Sequence, residues 1–141
     1  MRSPLENTGF LLAKAAQHWN GLLAAAFTRE GFALVRPAYG SVLLPLFAND
    51  NQRIGELTRH ARVSKQTMTS MLAQMERDGL VERTPDPSDR RATIIRLAVR
   101  GRAFRPVAER VLAELDTRMA AAVPAKSLAT THDTLKELME L

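Results

Sequence analysis

The chain has 141 residues, carries 20 basic against 15 acidic side chains for a formal net charge of +5, and is 45% hydrophobic but only 5% aromatic. That length fits one domain rather than two well-cored ones, and apolar content weighted to Leu, Ala and Val favours packed helices over a sandwich of strands. Cysteine is absent, which excludes disulfides, thiolate nucleophiles and cysteine-ligated zinc; nothing near Met1 reads as a signal peptide and no apolar run approaches the roughly 20 residues of a membrane span, so a cytoplasmic protein is expected.

The first helix is expected from about Thr8 to Glu30. Leu12, Ala15, Trp19, Leu22, Leu23, Ala26 and Phe27 fall at three- and four-residue steps, and Gly31 follows as a stop. A second helix is expected over Pro37 to Ala48, with Pro37 suited to a first helical position and Pro45 disturbing its backbone bonding. Asn49 to Gln52 then reads as a turn. Gly55 to Arg62 reads as a short helix capped by Gly55, with Glu56 favourable at its positive end. Ser64 caps the next helix, Lys65 to Asp78. Met68, Met71, Leu72 and Met75 form the buried stripe of that helix, and Gly79 stops it.

The pattern then changes period. Leu80 to Thr84 and Ala92 to Leu97 are short and β-branched, with Pro85 to Asp89 between them, which predicts a long-looped hairpin. Two further helices follow. Phe104, Ala108, Val111, Leu115 and Met119 form one stripe, interrupted by Pro106, and Leu128, Leu135 and Leu138 lie on a second helix after Pro124.

The basic excess is not spread evenly. Residues 53–98 carry nine basic and six acidic groups, whereas residues 1–52 and 99–141 are each at net +1. No acid lies between Glu56 and Glu76, where Arg59, Arg62 and Lys65 stand, and none from Arg90 to Ala108, where six arginines stand. A solvated basic surface explains this as well as a polyanionic partner does, until the secondary structure is considered. Both basic stretches coincide with the helix-turn-helix pattern and the hairpin after it.

A helix that reads DNA needs one apolar face against its own domain and an opposite face of short polar side chains. Opposite the methionine stripe the Lys65 helix offers Gln66, Thr69, Ser70, Ala73 and Arg77, flanked by Thr67 and Gln74. Ser64 and Lys65, at the positively polarised end, suit phosphate contact.

The stretch Ile54-Gly55-Glu56-Leu57 to Gly101-Arg102 resembles the MarR family, the multiple-antibiotic-resistance regulators. The resemblance is carried by Val63-Ser64-Lys65-Gln66-Thr67-Met68-Thr69, by Glu76-Arg77-Asp78-Gly79-Leu80-Val81-Glu82-Arg83, and most specifically by Asp86-Pro87-Ser88-Asp89-Arg90-Arg91-Ala92. It implies a mainly α fold with a small β-hairpin wing: one domain over 1–141, with dimerisation helices at about 8–35 and 99–141 around a winged helix-turn-helix at about 36–98. It implies a homodimer on double-stranded DNA at a pseudo-palindromic operator, with half-sites about one helical turn, roughly 10 base pairs, apart. It further implies a repressor released by a small aromatic or phenolic effector. Arg62, Ser64, Lys65, Gln66, Thr67, Thr69, Ser70 and Gln74 would face the major groove, and Asp89, Arg90 and Arg91 the adjacent minor groove and its phosphates. The family turn carries Gly where this chain has Arg62, which implies a left-handed residue there. Relatives carry a basic residue at Ser70 and Thr at Ala98, so both positions depart from the pattern.

His18, Trp19 and Tyr39 fall where family ligand pockets draw on the first two helices. Trp19 belongs equally to the apolar stripe, and Tyr39 reads equally as a packed phenol with its hydroxyl satisfied. His18, His60 and His132 share no metal-ligand spacing, and no phosphate-binding glycine loop, nucleophile elbow or metal-binding helix motif is present. No catalytic residue, metal or cofactor is expected. A DNA binder without an effector and a winged helix serving only protein assembly are the two rival readings.

Overall fold

The computed structural model describes residues 2–141, which divide into two compact units, the first ending at Val107 and the second spanning Ala108–Leu141. Helix α1 covers Thr8–Arg29 and is capped by Asn7, whose side chain accepts the Phe10 amide at 3.1 Å. A short 3-10 turn at Pro37–Tyr39 leads into α2, Gly40–Ala48, which contains Pro45. Strand β1 is only Gln52–Arg53. Helix α3 spans Ile54–Ala61, α4 Lys65–Arg77, β2 Val81–Asp86 and β3 Asp89–Leu97. Helix α5, Val99–Ala122, contains Pro106, and α6 covers Ala125–Leu138. The order and type of the expected elements hold, and Arg62 is left-handed at φ 55° and ψ 43°, the conformation its replacement of glycine implied.

Three local expectations are corrected. Gly55 does not cap α3: the helix begins one residue earlier, and Arg53 stands at the cap position without a side-chain bond. The hairpin is not long-looped. β2 and β3 stay paired to a tip where Asp86 faces Asp89, with an irregularity between Pro85 and Asp86. Pro85 is tolerated because the strand order is β1-β3-β2, which leaves β2 at an edge where no ladder needs its missing N–H. The third strand, β1, was not expected: Gln52 pairs with Ile95 and Arg53 with Ile94.

The core of the first unit gathers Leu23, Ala26 and Phe27 of α1, Val42, Leu43 and Leu46 of α2, Met68, Leu72 and Met75 of α4, and Leu80, Ile95 and Leu97 around the sheet. Phe27 meets Phe104 edge-on, with ring centroids 4.8 Å apart at 84°, and Phe32 closes on the same ring at 5.1 Å. Only the C-terminal third of α1 contributes. Leu12, expected on its buried stripe, is exposed, Trp19 and Leu22 are half-buried, and Met71 of α4 is half-buried. In the second unit α5 carries buried Ala108, Val111 and Leu115 with Met119 half-buried, while α6 buries no residue.

The turn after α2 is fastened by two side chains. Gln52 is 2% exposed; its amide donates to the carbonyls of Pro45 at 2.8 Å and Asn49 at 2.6 Å. Its oxygen is therefore left to accept from His60 Nδ1 at 2.8 Å, which fixes the imidazole tautomer. Asp50 accepts the Leu97 amide at 3.0 Å and so ties the turn to the end of β3. Among the described residues no helix is long and apolar enough to cross a membrane, and no group of three or more His, Cys, Asp or Glu is placed to hold a metal ion.

Candidate nucleic-acid interface

Helix α4 is built to stand off the domain by one face. Met68, Leu72 and Met75 are buried beneath it, whereas Ser64, Lys65, Gln66, Thr67, Thr69 and Ser70 are all exposed at its start. Ser64 caps it in both senses: the hydroxyl oxygen accepts the Thr67 amide at 3.1 Å and its proton goes to Thr67 Oγ1 at 3.0 Å. That commitment has a chemical consequence. Thr67 keeps its own hydroxyl proton to donate outward, while Thr69 spends its proton on the Lys65 carbonyl at 2.9 Å and can only accept. Gln66 and Ser70 supply the remaining outward polar groups.

Gln74 stands apart from this set. It is half-buried; its amide nitrogen donates to the Asp78 carboxylate at 3.3 and 3.4 Å, and its oxygen accepts from Arg77 at 2.7 Å. Its polar atoms are engaged at the far end of the helix. Arg62 is exposed at the turn into α4.

The wing is braced by Asp86, which in the sequence has a place in the family segment but no assigned role. Asp86 is 6% exposed, and both of its oxygens are used. Oδ1 accepts the Ser88 amide at 2.9 Å and the Ser88 hydroxyl at 2.7 Å, and Oδ2 lies 2.6 Å from Arg53 of β1. The Ser88 bonds, and after them Arg53, hold the Asp86 carboxyl below its ordinary value of 3.8. A carboxylate with a depressed folded pKa stabilises above its ordinary pKa and loses that contribution as pH falls through the folded value. Thermal melts of the parent and of Asp86→Asn, followed from about pH 6 to about pH 2, should therefore differ most at the upper end and converge below 3.8. A gap that stays constant down to the lowest pH would show that this carboxylate is not coupled to the fold.

At the tip Asp89 accepts the Arg91 amide at 3.0 Å, and Arg91 Nε lies 3.6 Å from the same oxygen. The Arg91 side chain is 94% exposed and that of Asp89 37%. Arg90 is exposed beside it.

His18, Trp19 and Tyr39 do not share one environment. His18 is exposed and Trp19 half-buried, but Tyr39 is 3% exposed with its hydroxyl 3.4 Å from the Asp78 carboxylate. Burial first, and then the Asp78 charge, push the phenol above its ordinary value of 10.0, so it remains a hydrogen-bond donor. None of the three lines the open groove of about 670 Å³ that Phe32, Leu34, Arg77 and Arg100 border.

Residues 37–93 match the model of the MarR family. Over 63 residues the chain is 38% identical to the transcriptional activatory protein BadR of Rhodopseudomonas palustris, a match covering 45% of this chain and 35% of that protein, so the chain spans about a third of the length of that relative. The fold matches the PcaV transcriptional regulator of Streptomyces coelicolor, solved with its natural ligand, with a TM-score of 0.82 at 18% identity over 99% of this chain and 97% of that one. It also matches the transcriptional repressor CouR bound to a 23-mer DNA duplex, with a TM-score of 0.80 at 25% identity over 98% and 97%. Motif, element order and fold agree in likening the chain, through its winged helix at residues 37–93, to the MarR family.

Proposed function

We propose that this chain is a homodimeric, sequence-specific regulator of transcription that binds double-stranded DNA at a pseudo-palindromic operator, represses from it, and is released by a small aromatic ligand. One observation carries the reading. A helix buried along one side by Met68, Leu72 and Met75 exposes only short polar and basic side chains on the other, beside a braced hairpin whose Arg90 and Arg91 side chains are exposed. Support for the partner comes from CouR, solved on DNA, and for the effector from PcaV, solved with its ligand.

The test is a titration of the purified protein against duplexes tiled across the DNA upstream of its own gene. The expected result is one or two tiles bound far more tightly than the rest, with affinity falling steeply as salt rises. Uniform or absent binding would leave the assembly reading in place. A ligand screen by thermal shift then addresses release, because an effector of the free protein stabilises it by mass action.

Dimerisation is supported by apolar side chains that the chain does not cover. Phe10, Leu11 and Leu12 of α1 are exposed, as are Val123, Leu135 and Met139 at the C-terminal end. Phe27, Val111 and Leu115, on the apolar stripes of the first and fifth helices, are buried in the single chain and are not part of that set. An isologous pairing would bury the exposed set. Sedimentation at micromolar concentration should give a dimer, and Leu12→Glu should shift it toward monomer; a folded, soluble parent monomer at that concentration would refute the pairing.

The sign of regulation has a second reading, activation, which the name of the 38%-identical relative favours. A reporter fused to the bound tile, with and without the protein, separates the two by the direction of the change.

A further inference from the structure

Helix α4 has a soft seat. Met68, Leu72 and Met75 are buried beneath it, and Met71 is half-buried beside them. Unbranched thioether side chains fill space without fixing it, so this packing holds α4 to the domain but leaves its axis loosely set. The axis matters most at the exposed start of the helix. Its 13 residues span roughly 20 Å, so a tilt of about 10° pivoting at the C-terminal end moves the start by roughly 3 Å. Hydrogen bonds to base edges do not survive such a shift.

The far end of α4 carries what the methionines lack. Asp78, its C-terminal cap, is an acid at the negative end of a helix, where the macrodipole disfavours it. Contacts from three elements converge on it. Gln74 Nε2 of α4 donates to its carboxylate at 3.3 and 3.4 Å, and the Tyr39 hydroxyl, at the entry to α2, donates at 3.4 Å. Arg100, in the first turn of α5, donates from Nη1 to the Asp78 backbone carbonyl at 2.9 Å, across 22 residues of sequence. That carbonyl is one of those that a helix end leaves without an internal partner. Two residues on, the Leu80 carbonyl accepts the Ala98 amide at 2.9 Å, a second tie between the same two segments.

We propose that Asp78 and Arg100 are positioning residues for DNA recognition, fixing the axis of α4 so that its start meets base edges in one orientation, without themselves touching DNA. The proposal rests on the DNA-binding reading and says what gives that site its discrimination. Phosphate contacts from long basic side chains follow a tilted helix, whereas short side chains such as Thr67 and Thr69 do not. Loss of the lock therefore removes sequence discrimination and leaves non-specific affinity in place.

Asp78→Ala, Asp78→Asn and Arg100→Met test it, each titrated against the bound tile and a scrambled duplex of equal length. Arg100 is exposed and Asp78 half-buried, so no replacement opens the core, and a melt of each establishes the fold first. Asp78→Ala and Arg100→Met change the net charge in opposite senses, so charge alone tightens the scrambled duplex in one and weakens it in the other. The ratio of tile to scrambled affinity removes that effect. It should fall roughly tenfold in both variants, the loss expected of one imperfect base contact. A role in stability alone would lower the melt and leave the ratio among folded molecules unchanged. Asp78→Asn shares the charge change of the alanine variant but keeps an oxygen for the Tyr39 and Gln74 donors, so it should hold the parent ratio. A parent-like ratio in Asp78→Ala and Arg100→Met overturns the lock and leaves the DNA reading intact. A ratio that falls as far in Asp78→Asn as in Asp78→Ala makes the effect one of charge and also overturns it. A parent that binds neither duplex overturns both.

Discussion

Replacing Gly101 by alanine should destabilise the fold by about 3 kcal/mol, although glycine to alanine within a helix ordinarily stabilises by up to about 1 kcal/mol. The reason lies in one carbonyl. A Cβ built on Gly101 would sit 2.1 Å from the Leu80 oxygen, 3.2 Å from the Leu80 carbonyl carbon and 3.2 Å from Leu97 Cδ2. Backbone cannot swing aside as a side-chain end would. The Leu80 oxygen is also held in place, since it accepts the Ala98 amide at 2.9 Å, and Leu80 itself is fully buried. The first turn of α5 would therefore have to lift from the start of β2, which would disturb Leu80, Leu97 and Phe104 together. A fall in melting temperature of roughly 10 °C is expected for a chain of this size. Gly40 supplies the control, because a Cβ there meets nothing within 4 Å and its φ of −55° suits alanine. Gly40→Ala should hold or slightly raise the melt. If Gly101→Ala matches Gly40→Ala, the close approach of α5 to Leu80 is not as described.

The elements that could be read from sequence were those whose signals are local. The Ser64 cap, the 3.6-residue spacing of Met68, Leu72 and Met75, and the stop at Gly79 all act within a few residues, and α4 formed where they placed it. The left-handed conformation of Arg62 was legible only through the resemblance, because the family turn carries glycine at that position. Strand β1 was not legible. Two residues carry no period, and Gln52 and Arg53 are strand only because Ile95 and Ile94 lie opposite them. Asp86 was hidden for a similar reason. Among Pro85, Pro87 and Ser88 it reads as a solvated turn residue, and only the fold brings Arg53 to within 2.6 Å of it. Gln74 was misplaced in the opposite direction, because helical spacing puts it on the outer flank but cannot see Arg77 and Asp78 occupying its amide.

Arg91→Ala should weaken operator binding about thirtyfold, or about 2 kcal/mol, with the melt and the oligomeric state unchanged. The side chain is 94% exposed, so the fold loses little with it, and a narrow minor groove is where one guanidinium is worth most. Asp89 makes the sharper case. Its ion pair with Arg91 spans 3.6 Å at an exposed site, a pairing worth under about 1 kcal/mol to stability. Its stronger bond is to the Arg91 backbone amide, at 3.0 Å, so its work is to set the chain direction from which the arginine leaves the tip. Simple electrostatics says that removing an acid beside DNA tightens binding. Positioning says the reverse, and Asp89→Ala should weaken the operator complex by roughly three- to tenfold at equal salt. Asp89→Asn distinguishes the two further. It loses the charge but keeps an oxygen for the Arg91 amide, so it should bind close to the parent, whereas a purely electrostatic role would make it behave as the alanine variant does. If both Asp89 variants bind more tightly than the parent, the wing is a charged loop and Asp89 aims nothing.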